Sequence, residues 1–195
     1  VWETIWPVLA DTAPRATLLD VGCGFGFAVD CWSRLERGEA VGVELADYGQ
    51  VGARLLGITV YDRLLDDCAP LAGRRFDVVY ASEVIEHVPD PRAFVAMLAR
   101  YVADDGVLVL TTPAMAFVTP ADHSPTLHAA LAPGFHGFLL SAEAFADTAR
   151  RSGFVHVDAR VLGERQILWA SRVPLRVDTT ASRMFPHYLR YLEAL

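Results

Sequence analysis

Cysteine is scarce in this chain, and what there is does not pair. Cys23, Cys31 and Cys68 are the only three, an odd number with no C-x-x-C spacing. That pattern excludes a disulfide framework and a structural zinc site. Reduced thiols and a cytoplasmic location are the expectation. No apolar run approaches the roughly 18 residues that a membrane-spanning helix needs, so no membrane span is expected. Basic charge is short as well: 17 Lys and Arg stand against 24 Asp and Glu, for a net charge of -7. An acidic balance disfavours broad, phosphate-driven contact with nucleic acid, although a local basic groove would survive it. Repeats, low-complexity runs and shifts of composition that would mark a second domain are missing too. The chain opens on Val1 with no signal-peptide pattern ahead of the first apolar run. Its missing initiator Met suggests a trimmed fragment, or a domain cut from a larger biosynthetic enzyme.

What is present is 195 residues, 53% of them hydrophobic, enough for one domain with a substantial core. Apolar strand-like runs alternate with helix-like stretches. The runs Thr17–Gly22, Ala40–Leu45, Ile58–Tyr61, Phe76–Ser82 and Gly106–Thr112 read as strands. Between them the pattern predicts a helix from Phe25 to Arg37 closed by a left-handed Gly38, and one capped by Asp47 that ends before Gly57. A third starts at Pro91 and reaches Val102, and a fourth is capped by Ser141 and reaches Arg151. Phe154–Leu162 and Gln166–Ser171 are close enough in sequence to form a hairpin. Continuous apolar strands alternating with helices mean a parallel sheet covered on both faces, an α/β doubly wound fold, and the final hairpin adds an antiparallel strand.

Two stretches break the rhythm. Pro113–Leu140 is long for a connection and holds four prolines, His123, His128 and His136, and the aromatics Phe117, Phe135 and Phe138. Connections of that length are functional lids or disordered segments, and the aromatics favour a packed lid. In the tail, 172–195, Phe185, Tyr188, Leu189, Leu192 and Leu195 fall at helical spacing. Such a helix packs on its own core, makes a dimer contact, or leads into a part beyond this chain. The sequence divides accordingly into a domain over 1–171 and a tail over 172–195, and leaves the oligomeric state open.

The stretch "LLDVGCGFGFAVD" places Gly22, Gly24 and Gly26 between the first strand and the first helix. Glycines there allow a sharp turn and let a ligand lie against bare backbone. The crevice at the carboxyl ends of the strands is where open α/β sheets bind ligands. A dinucleotide fingerprint, G-x-G-x-x-G, would need a glycine where Phe27 or Val29 stands, and a phosphate-binding P-loop would need a lysine that is not there. What remains is D-x-G-x-G-x-G with Glu44 at the end of the next strand, where a carboxylate can accept hydrogen bonds from both ribose hydroxyls.

With "LLDVGCGFG" followed by "VGVEL", "FDVVYASEVIEHVPDP" and "GVLVLTTP", the chain resembles the class I S-adenosylmethionine-dependent methyltransferases over about Thr17 to Ser171. The resemblance implies a Rossmann-like, seven-stranded, mostly parallel sheet of order 3-2-1-4-5-7-6 with strand 7 antiparallel, and S-adenosylmethionine as cofactor over strands 1, 2 and 4. Asp20, Gly22, Cys23, Gly24 and Gly26 would line its methionine and ribose part. Glu44 would hold the ribose, Leu45 would flank the adenine, and Asp62 and Leu64 would lie near the adenine. Ser82, Glu83 and Val84 would meet the methionine end. Asp62-Arg63-Leu64 departs from the usual acidic residue followed at once by a hydrophobic one.

Methyl transfer needs the nucleophile, carbon and sulfur in line, water excluded and, for a hydroxyl acceptor, a base. Histidine is the first candidate for the base, and His136 and His87 are the two placed for it. In "EVIEH", Glu83, Glu86 and His87 stand at i, i+3 and i+4, so a helical turn would set them on one face. On one reading Glu86 and His87 brace that turn. On the other, Glu83, Glu86, His87 and His136 hold a divalent metal. E-x-x-E-H with a later His is similar to two groups, the ubiquinone-biosynthesis O-methyltransferases and the enzymes that methylate the 2′-hydroxyl at the 3′ end of small RNAs. In both, the resemblance implies an ion that clamps neighbouring oxygens, and mixed carboxylate and imidazole ligands suit manganese, iron or zinc. The apolar Phe138, Leu139 and Leu140 after the last histidine depart from the RNA enzymes. His156 and His187 read as structural. The reading is a methyltransferase acting on a small-molecule acceptor, at oxygen. Metal-assisted methylation of an RNA 3′ end and a non-catalytic cofactor-binding module are its rivals.

Overall fold

In the computed structural model the described residues are 4, 5, 7, 15–35, 38–117, 131, 132, 134–175, 177, 178 and 189–193. Seven strands form one sheet: β1 (Leu18–Val21), β2 (Ala40–Val43), β3 (Thr59–Tyr61), β4 (Phe76–Ser82), β5 (Val102–Pro113), β6 (His156–Leu162) and β7 (Arg165–Ser171). Their order is β3-β2-β1-β4-β5-β7-β6. β3 through β5 run parallel, and β7 lies antiparallel between β5 and β6. Among the described residues four α-helices of eight or more residues cover it: α1 (Phe27–Arg34), α2 (Asp47–Leu56), α3 (Pro91–Ala99) and α4 (Ala142–Arg151). This is the sheet order that the methyltransferase resemblance implies.

The alternation of side chains along the buried strands divides the core in two. On one face Leu19, Val79, Leu108 and Leu168 pack against Phe94, Val95 and Leu98 of α3 and Phe145 and Ala149 of α4. On the other, Leu18, Val78, Tyr80, Val109 and Trp169 meet Ala28, Cys31 and Trp32 of α1, with Ile5 and Tyr191 joining them. Tyr191 lies in a short helical stretch at 189–193, and its hydroxyl bonds the buried Asp30 at 3.1 Å. Leu189 and Leu192 beside it are exposed, so the apolar spacing of the tail is not a buried face at these two residues. Phe185, Tyr188 and Leu195 lie outside the described residues. Among the described residues no helix is long and apolar enough to cross a membrane.

Several element boundaries differ from the sequence reading, each for a local reason. α1 starts at Phe27 because the chain is still turning through Gly24 and Gly26, at φ 60° and 90°. It ends at Arg34, capped by Leu35, so Gly38 is not its left-handed stop. Gly38 is required for another reason: a Cβ there would sit 2.0 Å from the carbonyl oxygen of Arg15. Asp47 is the first residue of α2 and not its cap, a position held by Ala46 with no side-chain bond. α3 stops at Ala99 because β5 begins at Val102, well before Gly106, and its pairing with β4 shifts register between Phe76 and Val78. Asp90 and Ser141 cap α3 and α4 through backbone N–H groups of the first turn.

Candidate active site

Parallel strands carry their carboxyl ends to the same edge of the sheet, and the loops leaving β1, β2 and β4 meet there. They enclose a cleft of about 830 Å³, the size of a small-molecule site. Val21, Gly22 and Gly24 form its floor, Glu44, Leu45 and Tyr48 one wall, Leu64 and Leu65 another, and Ser82, Glu83, Val84 and His87 the side toward β5.

The floor is made of main chain. Gly22 has φ 71°, and a Cβ on it would stand 2.5 Å from Cγ2 of Val84. Its N–H and that of Cys23 both donate to the carbonyl of Val43, at 2.8 and 3.1 Å, which ties the turn to β2. Glu44 closes the tie from above: Oε2 accepts from the N–H of Gly24 at 3.0 Å and Oε1 from that of Ala46 at 2.9 Å. Each carboxylate oxygen keeps a second lone pair, which can face a ligand in the cleft. Tyr48, one helical turn beyond Glu44, lines the same wall, and the Glu44 charge holds its phenol above the ordinary value.

The expected cofactor residues separate into those that reach the cleft and those that do not. Gly22, Gly24, Glu44, Leu45, Leu64, Ser82, Glu83 and Val84 line it. Asp20 lies beneath the floor, 3% exposed, and burial, with the Glu44 charge adding to it, pushes its carboxyl up to about 7. The sulfur of Cys23 is turned toward Gly42, and burial raises this thiol as well. Gly26 abuts Ile58 behind the turn. Asp62 is on the surface, 3.3 Å from the guanidinium of Arg63, and not in the cleft. Asp66, from the 3-10 turn Leu65–Asp67, lines the cleft instead and is paired with Arg100. Sequence reasoning passed over Tyr48, Asp66, Phe94 and Met97. Tyr48 had a signal, its i+4 spacing from Glu44 into a predicted helix; the other three are there because α3 folds back over the loop after β3.

The "EVIEH" stretch does not form the single helical face expected of it. Glu83 has φ 56°, a left-handed backbone that a non-glycine residue rarely adopts, and this kink sends its neighbours in different directions. The Glu83 carboxylate accepts from the hydroxyl of Thr111 at 2.8 Å and lies 3.7 Å from Arg165. Since Thr111 donates there, Ser82 donates to Thr111, at 2.8 Å. Glu86 turns inward and is 1% exposed. Its Oε2 accepts from Thr112 at 3.1 Å, whereas Oε1 has no hydrogen-bond partner among the described residues. Burial raises this carboxyl too.

His87 turns back toward the cleft. Its Nε2 stands 4.0 Å from Oε1 of Glu86, and its Nδ1 is 3.0 Å from the carbonyl oxygen of Phe135. The ring of His136 meets that of His87 edge-on, 4.8 Å between centroids. Glu86, His87 and His136 each offer a ligand atom, all within 4.8 Å of one another. Glu83 is not part of this group. Among the described residues this is the one set of three or more His, Cys, Asp or Glu residues that could hold a metal ion. His123, His128 and His187 lie outside the described residues, and His156 is on β6.

Comparison with known proteins identifies the family and supports the fold. The profile of a family described as "Methyltransferase domain" matches residues 4–159. A ubiquinone biosynthesis O-methyltransferase of Neisseria meningitidis serogroup A is 33% identical over 102 residues, which is 49% of this chain and 43% of the relative. The chain thus spans less than half the length of that relative. Among solved structures, an O-methyltransferase family protein from Burkholderia thailandensis superposes with a TM-score of 0.67 at 21% identity, covering 86% of this chain and 55% of that one. An S-adenosylmethionine-dependent methyltransferase from Mesorhizobium loti superposes with a TM-score of 0.65 at 20% identity, covering 87% and 97%. At these identities the two structures speak for the fold.

Proposed function

The chain belongs to the methyltransferase-domain family, and from that premise we propose that it transfers the methyl group of S-adenosylmethionine to a hydroxyl oxygen of a small molecule. The observation that carries this reading is that Gly22, Gly24, Glu44 and His87 line one cleft. The bare backbone of the glycine turn accepts the methionine and ribose part of the cofactor. Glu44 receives the ribose hydroxyls on its remaining lone pairs, and Leu45 and Leu64 flank the adenine. Ser82, Glu83 and Val84 bound the end where the sulfonium lies. Asp20, Cys23 and Gly26 support the turn from behind, and Asp62 has no contact with the cleft to support a role.

The methyl carbon of a sulfonium is already activated, so the protein's task is alignment, exclusion of water and removal of one proton. Alignment of reacting groups is worth roughly 7–11 kcal/mol, and a placed base about 10²–10⁴-fold. The acceptor oxygen forms its bond to carbon as the carbon–sulfur bond breaks. His87 takes the hydroxyl proton, and the products are the methyl ether and S-adenosylhomocysteine. His136 stands edge-on beside it as the second candidate for the same role.

The residues also fit a divalent ion. A buried carboxylate oxygen without a hydrogen-bond partner among the described residues, two imidazoles and ligand atoms within 4.8 Å form a sound donor set. Glu86, His87 and His136 would hold the ion; the lone pair of His87 would then be spent on it, and the ion would supply Lewis-acid polarisation of the acceptor oxygen in place of the histidine base. The O-methyltransferase named among the relatives supports oxygen as the acceptor atom.

The reading is tested by titrating S-adenosylhomocysteine into the protein and then screening phenols, catechols and aliphatic alcohols for methyl transfer from labelled S-adenosylmethionine. Binding with transfer to a hydroxyl is expected. Binding with no transfer to any oxygen nucleophile overturns the oxygen acceptor, and no binding overturns the enzyme. Manganese titrated into the S-adenosylhomocysteine complex, with Glu86→Gln as control, decides the metal: heat that disappears in the variant is expected, and equal heats in both remove the ion.

A further inference from the structure

Two backbone groups outside the family's glycine turn converge on the turn that carries His87. The carbonyl oxygen of Phe135 lies 3.0 Å from His87 Nδ1, and the N–H of Gly137 donates to the carbonyl of Glu86 at 2.7 Å. Between them His136 presents its ring to the edge of the His87 ring. The far end of the same stretch is tied down as well, because the buried Gln166 of β7 donates from Nε2 to the carbonyl of Leu140 at 2.7 Å. The 134–140 stretch is thus fixed to the His87 turn at one end and to the sheet at the other.

A carbonyl oxygen has no proton to give. The ring nitrogen facing it must be the donor, so His87 carries its proton on Nδ1 and keeps the lone pair of Nε2. We propose that the backbone of residues 135–137 is the positioning element of the active site: it selects the Nδ1–H tautomer of His87, a residue that lines the cleft, and so keeps the lone pair on Nε2, 4.0 Å from Oε1 of Glu86. The inference rests on the reading of His87 as the group that acts on the acceptor. It adds that this competence comes from a segment about 50 residues away in sequence, through main-chain atoms whose side-chain identity is immaterial. Gly137 is the positioning residue with a clean test, since its N–H can be removed alone. Among the described residues a Cβ at Gly137 would meet only the Glu86 carbonyl oxygen, at an ordinary 3.7 Å. Alanine there fits and keeps the N–H, whereas proline deletes it.

The experiment compares Gly137→Ala and Gly137→Pro in histidine-labelled protein. Long-range proton–nitrogen spectra of the neutral rings, with His87 identified by its loss in His87→Gln, read the tautomer directly. Expected is an Nδ1–H pattern for His87 in the parent and in Gly137→Ala, and an ordinary mixture of tautomers in Gly137→Pro. Turnover should fall about 10–100-fold in Gly137→Pro, the usual scale for losing a group that orients a working histidine. S-adenosylhomocysteine affinity and the melting midpoint, read on both variants, should stay near the parent's. An unchanged tautomer in Gly137→Pro, or equal loss of turnover in both variants, overturns the proposal. The parent reading fails differently: if His87→Gln turns over like the parent, His87 has no part in the reaction, whatever Gly137→Pro does.

Discussion

The two sides of the cleft are built on opposite plans. On the β1–β2 side the main chain of the turn is tied to the next strand: Gly22 and Cys23 bond Val43, and the Glu44 carboxylate bonds Gly24 and Ala46. On the β4–β5 side it is side chains that lean on β5 and on the 134–140 stretch. Glu83 and Glu86 lean on Thr111 and Thr112, His87 on Phe135, and one oxygen of Glu86 has no donor among the described residues. A site that must only hold a ligand can satisfy its own groups and rest. A site that must take a proton or a cation keeps an electron pair in reserve, and a buried carboxylate oxygen left without a partner costs stability for that purpose.

If the difference is one of labour, changes on the two sides should separate turnover from affinity. The largest effect is expected from His87→Ala. Turnover should drop about 10²–10⁴-fold while the dissociation constant of S-adenosylhomocysteine, read by calorimetry, barely moves. A parallel fall in affinity would merge the two sides into one.

Next comes the carboxyl beneath the floor. Burial raises Asp20 from 3.8 to about 7. Below pH 4 both folded and unfolded chains hold the proton, so nothing is gained or lost. Between 4 and 7 only the folded chain keeps it, so this group lowers stability progressively as pH rises, and the penalty is full and constant above 7. Asp20→Asn cannot ionise. Its urea-unfolding free energy should gain on the parent's across that window, by at most about 4 kcal/mol, and then run parallel. A constant offset at all pH values would mean that Asp20 shares its charge with a partner.

Glu44→Ala should act on the other observable. Losing a charge-assisted hydrogen-bond acceptor weakens S-adenosylhomocysteine binding by about 1.5–3 kcal/mol, with turnover at saturating cofactor little changed. An unaltered dissociation constant would remove Glu44 from the ribose.

The same contrast explains what could be read from the residues alone. The floor was legible because its parts are contiguous: a strand, three glycines at alternate positions, and one carboxylate at the end of the next strand. The sheet order followed from the motif series. Spacing failed at "EVIEH", because a helical face was assumed where Glu83 takes a left-handed backbone, held by its N–H on the Thr111 carbonyl and its carboxylate on the Thr111 hydroxyl. Those partners lie on β5, and no local pattern announces them. The structure brings ligand atoms of Glu86, His87 and His136 within 4.8 Å of one another and leaves Glu83 out, because the face that would have joined Glu83 to them does not form. The contact of Phe135 with His87 is made by a main-chain carbonyl, which every residue has, so no residue type could have signalled it. Asp66 in place of Asp62 follows from the 3-10 turn after β3, which displaces the cleft-facing carboxylate by four positions.

Thr112→Val should have the smallest effect, and it probes the β4–β5 side without entering the cleft. Thr112 is 1% exposed and donates to Oε2 of Glu86 at 3.1 Å. Valine keeps the shape and removes the donor, so a carboxylate that already has one oxygen without a partner then has two. Leaving a buried acceptor unsatisfied costs about 1–3 kcal/mol. The unfolding free energy should fall by that amount, seen as a lower urea midpoint with an unchanged slope, and S-adenosylhomocysteine affinity should stay at the parent's value. An unchanged midpoint would mean that Glu86 has another donor and holds no electron pair in reserve. A loss of affinity together with stability would mean that strain at Thr112 reaches the glycine turn through β4, and the two sides of the cleft would then be one cooperative unit.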